Sequence, residues 1–523
     1  MSAPGRPAGV PVVHVAGAAS EALAPGALAT LDGEPLARFL ADRRWFGGKG
    51  STPRAARVAH LIPLDLAPPA ALAVVEVAGD DGRVARYQLP LVVRQVGADN
   101  GGGGPGAVLA QVESAGGRGS LLFDATEDRA FREALGACFA RGATFEDTAG
   151  AARWTVEPLA AATAGAAAED GAGGEARLIA AEQSNTSIVY GDRAILKLFR
   201  RLEPGEHPDV EIGRFLATAT GFRNTPALLG VVRLAIAGEA DAVAGMLQRF
   251  VPGSRDAWAH ALGRAAPYFA GREPAESFAA DARELGRVTR ELHEALAAGE
   301  GEAFAPVPAT AADVARWAGA TRGAMREALA LLEARADGLA LAEPARGEAA
   351  AVLTRRHELA ALVDRAAALL EGDAGARIRH HGDYHLGQVL RAPDGTFYVI
   401  DFEGEPSRSL AERRERHSPL RDVAGMLRSF GYAAAVGAME AGRGGGAESA
   451  RWEGAARAAF LEAYFAAPAG ASVRFLPGTP AAAHALLALF ELEKLFYELA
   501  YELNNRPAWT WVPLGAVARL LQP

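Results

Sequence analysis

Hydrophobic and polar positions follow two periods along the chain. In the front part, apolar residues gather in short runs with strand character. RAARVAHLIPLDL, ALAVVEVAG and RVARYQLPLVV predict three strands, the last two joined across Asp80-Asp81-Gly82. Before them, residues 34–50 (EPLARFLADRRWFGGKG) predict a short helix and a glycine-rich loop. Residues 96–118 read as a glycine-rich connection and 124–142 as a helix. After a second low-complexity stretch at 160–176, residues 176–216 predict strand, polar loop, strand, a tight turn at Gly191-Asp192, strand and helix. The run 241–258 predicts a strand that breaks at Pro252-Gly253. From about residue 254 the spacing widens to that of helices, with long runs at 274–298, 308–337 and 345–371. Later helices follow around Asp422 and over 485–503, the last stopped by Asn504-Asn505 and Pro507.

A chain of 523 residues exceeds one ordinary core, so several units are expected: 1–110, 111–251 and 252–523. Half the residues are hydrophobic and 22% are charged, a globular composition. The net charge of −9 argues against nucleic acid or an anionic membrane as partner. A single cysteine, Cys138, rules out an internal disulfide. No basic region with a long apolar core opens the chain, and no apolar run reaches the ~20 residues of a membrane span. A cytoplasmic protein is expected.

The chemistry concentrates between His380 and Glu405. HGDYHLGQVL (381–390) places the amide of Gln388 five residues after the carboxylate of Asp383. FYVIDFEGE (397–405) delivers Asp401 at the end of a strand, and Pro393-Asp394-Gly395 marks a turn between the two pieces. Kinases use this layout for phosphoryl transfer. One Asp receives the acceptor hydroxyl, while an amide and a second Asp hold Mg²⁺ through hard oxygen ligands. Two loop-capping carboxylates would explain neither the spacing nor the flanking histidines. Asp383 is therefore the expected catalytic residue, Gln388 and Asp401 are the expected metal ligands, and ATP with Mg²⁺ are the expected cofactors.

Only three of the 54 basic residues are lysines: Lys49, Lys197 and Lys494. Lysine kept in an arginine-writing chain marks positions that need a compact ammonium. Lys197, in the run AILKLF, is costly on a strand without a partner, and Glu211 in the following helix is the expected one. A glycine-rich phosphate loop is missing, and GGKG at 47–50 lacks the spacing and the Ser/Thr of a P-loop. Ser184, Asn185 and Thr186 stand at the expected place, either as a polar phosphate loop or as an ordinary hairpin turn. Backbone groups from Gln248 to Val251 form the expected adenine-contacting hinge. Near the C-terminus Lys494, Tyr497 and Tyr501 share one helix stripe and Trp509 follows. This stripe suits either sugar stacking or packing against a neighbouring helix.

HGDYHLGQVL, VIDFEGEPSRSLAERRERHSPLRDVAGMLRSFGYAA, RRWFGGKG and KLFYELAYELNNRPAW together resemble the bacterial maltokinases over nearly the whole chain. The resemblance implies an α+β, two-lobed protein-kinase-like fold of the aminoglycoside-phosphotransferase branch. It has a small β-rich lobe, a large helical lobe and an extra N-terminal α/β cap. It implies ATP-dependent phosphorylation of maltose at its anomeric hydroxyl, feeding α-glucan synthesis. Asp383 resembles the catalytic Asp, Gln388 and Asp401 the Mg²⁺ ligands, and Lys197 the ATP lysine. His385, Lys494, Tyr497, Tyr501 and Trp509 fall in the sugar pocket. A monomer is expected, with a trehalose–maltose interconverting enzyme as candidate partner. Two alternatives stay open. One is a kinase of the same fold acting on glucosamine or an aminoglycoside, whose amine Glu405, Glu498 or Glu502 would receive. The other is a pseudokinase that binds nucleotide without turnover.

Overall fold

Strand periodicity in the front part becomes two sheets. The computed structural model describes residues 10–521 apart from 47–52, 54, 80–81, 96–106, 116–118, 160–174, 180–183, 336–337, 339–340, 342–344, 371, 444–445 and 467–474. Lys49 and Gln183 lie outside the described residues. The chain forms two units, residues 1–218 with 226–252 and residues 219–225 with 253–523.

In the first unit, β1 (Val12–Val15), β2 (Ala55–Leu64), β3 (Ala70–Ala78), β4 (Val84–Gln95), β5 (Val108–Ser114) and β6 (Ser120–Asp124) order as β1-β5-β6-β4-β3-β2. Strand β5 corrects the reading of 96–118 as connection throughout. The stretch VLAQVES is short, but β1 and β6 pair with it on both sides. The unbroken apolar run of β3 has a structural cause. Ala71, Ala73 and Val75 face one core with Leu36 and Trp45, while Leu72 and Val74 face another with Phe131 and Leu135. A strand buried on both faces loses its polar alternation. Cys138 is buried in this second core, as its small apolar character predicts.

The second sheet holds β7 (Ala143–Glu146), β8 (Ala152–Pro158), β9 (Ala176–Ile179), β10 (Thr186–Tyr190), β11 (Ala194–Leu198), β13 (Leu228–Ile236) and β14 (Ala242–Arg249) in the order β7-β8-β13-β14-β11-β10-β9. A two-residue strand, β12 (Arg201–Leu202), pairs instead with β4 of the first sheet. The two sheets are thus tied through the segment that follows Lys197. Gln88 of β4 reinforces the tie, since its N–H donates to Arg200 O at 2.9 Å and its side-chain amide to Phe199 O at 2.9 Å.

The second unit is helical apart from short strand pairs. Its most enclosed helix is Leu420–Glu440, against which the Ala257–Phe269, Ala447–Phe465 and Pro480–Asn505 helices pack. Phe278 stacks on Trp452 at 5.4 Å and meets Phe430 edge-on at 5.9 Å, giving this core an aromatic centre. The run 345–371 divides at Arg355 into helices Ala345–Thr354 and Arg356–Ala368. Gly286 lets two helices approach closely, because a Cβ there would overlap the Phe460 carbonyl oxygen. Gly286→Ala is therefore expected to cost about 1–3 kcal/mol through overpacking. Denaturant melts check this, and an unchanged midpoint would refute the close approach.

Candidate active site

The predicted loop–strand–turn–strand order is present. His385 Nδ1 accepts the Gly387 N–H at 3.0 Å and caps a single turn, Leu386–Gln388. Strands Val389–Arg391 and Phe397–Val399 pair around the Asp394-Gly395 turn. Asp401 follows with φ +68, the only non-glycine residue in the left-handed region among the described residues. Such a backbone is held only where the surroundings over-determine it. Here Gln388 Nε2 donates to Asp401 Oδ2 at 2.8 Å, and Phe402 beyond it is buried. Amide and carboxylate are thus neighbours, as metal ligands must be. The Glu403 carboxylate lies within 4.8 Å of that of Asp401. Carboxylate, amide and second carboxylate make an oxygen-rich set that suits a hard divalent cation.

The backbone of the HGD turn is fixed from below. Asp422, buried near the start of the Leu420–Glu440 helix, accepts the His381 N–H at 2.7 Å and the Gly382 N–H at 2.9 Å. Its Oδ2 also meets His293 Nε2 at 3.3 Å. Burial pushes the Asp422 carboxyl up, but His380, His293 and His381 outweigh it and hold the group well below the usual carboxylate range. Gly425 on the same helix meets the Tyr384 carbonyl, which a Cβ would approach to 2.5 Å. Asp383 then projects beside the Lys494 ammonium and the His385 imidazole, whose pKa burial holds down. Lys494 Nζ lies 3.9 Å from one of its oxygens and His385 Nε2 lies 3.9 Å from the other.

A cavity of about 240 Å³ opens here, lined among others by Asp383, Glu405, Phe490, Lys494 and Tyr497. Lys494 sits 5.4 Å over the Tyr497 ring, and Tyr497 stacks on Tyr501 at 6.5 Å. Both tyrosines are exposed, unlike the apolar face of their helix. Trp509 does not join the cavity lining. Arg506, gripped by the buried Glu502 at 2.9 and 2.6 Å, lies between the Tyr501 and Trp509 rings at 5.5 and 5.4 Å. Burial and the Glu405 carboxylate push Tyr497 up to about 12.

In the first unit, Lys197 on β11 meets Asp209 Oδ2 at 3.6 Å. Asp209, 1% exposed, turns toward the sheet from the Pro208–Ala219 helix that also carries the expected partner, Glu211. Asp209 and Glu403 are the two residues that sequence reasoning missed. The signals were present, as a second acid beside each one chosen. Ser184 and Asn185 form the turn before β10, joined by a 3.3 Å side-chain contact, and Thr186 is the first residue of β10 itself. Gln248 lies inside the sheet between Ile195 and Leu228, and Val251 stands beyond the end of β14.

Comparison with known proteins now adds to this geometry. Residues 39–128 match the maltokinase N-terminal cap domain. A glucosamine kinase of Mycolicibacterium smegmatis is 31% identical over 347 residues, 66% of this chain and 79% of that protein. One of Streptacidiphilus jiangxiensis is 29% identical over 348 residues, 66% of this chain and 73% of that protein. A solved glucosamine kinase in complex with glucosamine, ADP and inorganic phosphate matches 93% of this chain and 99% of its own, with a TM-score of 0.63 at 26% identity. The chain belongs to this family of sugar kinases.

As a sugar kinase it has the two-lobed kinase-like fold with an N-terminal cap. The β-rich unit carries the cap and Lys197, and the helical unit carries Asp383 and the Lys494 helix. No described helix is long and apolar enough to cross a membrane. Two expectations follow for the kinase's central loop. Asp422→Ala strands two buried N–H groups and is expected to cost about 2–5 kcal/mol; a denaturant midpoint within error of the parent would contradict this. Burial holds His380 down to about 4. The unfolded chain therefore takes up that proton first, so the stabilisation is complete above about pH 6.5 and is lost as pH falls toward 4. Urea midpoints across that range should decline, with a shallower slope in His380→Asn.

Proposed function

We propose that the kinase transfers the γ-phosphoryl group of ATP to the anomeric hydroxyl of maltose, giving maltose 1-phosphate and ADP for α-glucan synthesis. Asp383 orients that hydroxyl and takes its proton. The sugar oxygen forms a bond to phosphorus as the bond to the β–γ bridging oxygen breaks, and ADP leaves with that electron pair. Gln388, Asp401 and Glu403 are the residues that would hold Mg²⁺, which when bound neutralises charge on the phosphates. Lys197, braced by Asp209, anchors the phosphates together with the Ser184–Thr186 loop. Gln248 to Val251 meet the adenine. Lys494 and His385 flank Asp383, and Tyr497 and Tyr501 stack on the sugar rings, with Trp509 bounding the stripe.

The observation that favours a neutral sugar over an amine concerns three carboxylates. Each residue that could receive an ammonium is already engaged by arginine. Glu405 accepts from Arg408 at 3.1 Å, Glu498 from Arg428 at 3.0 Å, and Glu502 from Arg506 at 2.9 Å. The Lys494 ammonium beside Asp383 adds repulsion to an amine at the reacting end. The relatives named glucosamine kinases favour the second reading, phosphorylation of glucosamine.

ADP release with Mg²⁺-ATP, compared across maltose, glucosamine, glucose and trehalose, decides between them. Preference for maltose with phosphate on the anomeric oxygen is the expected result. Preference for glucosamine would transfer the same residues to the second reading, and nucleotide binding without turnover on any sugar would leave a pseudokinase. Asp383→Asn is expected to lower turnover at least 100-fold while nucleotide affinity stays near that of the parent. Loss of nucleotide affinity in that variant would contradict the role given to Asp383.

A further inference from the structure

Three residues beyond Lys197, the chain buries an arginine. Arg200 is 1% exposed. A buried guanidinium is costly unless its donors are satisfied; here Nη2 and Nε find partners on different elements, while Nη1 has none among the described residues. Nη2 donates to Asp124 Oδ2 at the end of β6 and to Thr126 Oγ1 in the turn that follows, both at 2.8 Å. Nε donates to Thr186 Oγ1, at the start of β10, at 2.7 Å. From the cap side the Trp45 ring covers the guanidinium at 4.6 Å. Trp45 belongs to the RRWFGGKG motif and packs in turn near Tyr87 of β4.

Apolar packing alone would join these elements. An arginine adds direction. Thr186 pairs with Leu198 and its neighbour Ser187 with Lys197 across β10 and β11, so the Thr186 side chain lies on the sheet face opposite Lys197 and Ser187 shares the Lys197 face. The Arg200–Thr186 bond therefore fixes the start of β10, and the polar loop before it, from the cap side. The segment that follows Lys197 is clamped by Gln88 and by the β12–β4 pairing. Every link from the cap motif to the loop is therefore a direct contact.

We propose that Arg200 is a positioning residue through which the N-terminal cap sets the start of β10, with the polar loop before it, and the Lys197 strand for the nucleotide phosphates. This rests on the assignment of that loop and of Lys197 to ATP. The cap is then part of the nucleotide site rather than an appended module.

The test is steady-state kinetics of the full chain, with KM for ATP and for the sugar measured separately. Arg200→Lys keeps the charge but loses the fork, and Thr186→Val removes the hydroxyl. Each is expected to raise KM for ATP about tenfold with KM for the sugar unchanged. Thr186→Ser should stay near the parent. The double variant should be no worse than the more severe single one, since both act through one hydrogen bond. Effects that multiply, or an Arg200→Lys effect shared equally by the sugar KM, would overturn the proposal. If Arg200→Lys fails to fold, Trp45→Leu reaches the same guanidinium, and an unchanged KM for ATP there would be equally decisive against it. Lys197→Met is the control. If it and Thr186→Val both leave KM for ATP unchanged, the nucleotide assignment fails and this inference falls with it. If they raise KM and Arg200→Lys does not, only the inference fails.

Discussion

A carboxylate buried beneath a turn is the constraint on which the catalytic loop depends. The HGD turn needs Gly382 at φ +86, which leaves two successive N–H groups pointing into the protein. Asp422 receives both, and its remaining side-chain hydrogen bond goes to His293 rather than to an arginine. That choice matters because an arginine pair would compete for the same oxygens. With the turn fixed, the direction of Asp383 follows from covalent geometry. The single turn capped by His385 then carries Gln388 round to Asp401. Site precision comes from elements, not from a flexible loop.

The legible parts of the sequence were those in which one local pattern has one physical outcome. The Asp394-Gly395 turn, the strands either side of it and the stop at Asn504-Asn505 all follow from turn and capping chemistry. Gln388 and Asp401, named together from the sequence, lie side by side at 2.8 Å. Strand β5 was hidden because its glycine-rich flanks outweigh seven residues of weak alternation, and only pairing on both sides makes it a strand. Asp209 went unnamed because a helix face cannot be assigned until the sheet it packs on is known.

Arginines buried for structure and arginines shielding carboxylates follow one rule in this chain. Arg428 with Glu498 and Arg200 with Asp124 both join elements distant in sequence, at 3.0 and 2.8 Å. Pairs of this kind add little net stability over apolar packing, but they fix one arrangement among several. For a site on packed helices and sheets, that selection is what a reacting geometry of a few tenths of an ångström requires.

Lys494 obeys the opposite rule. It stands 3.9 Å from Asp383, longer than a hydrogen bond, whereas Arg457 holds Glu491 at 2.6 and 3.1 Å. An arginine at position 494 would present two parallel donors to Asp383 and occupy both its oxygens. A substrate hydroxyl could then reach neither. A lysine supplies the same charge as a point and leaves an oxygen open. A chain that otherwise writes arginine for nearly every positive charge keeps lysine beside Asp383, where the proposed role requires an open carboxylate oxygen.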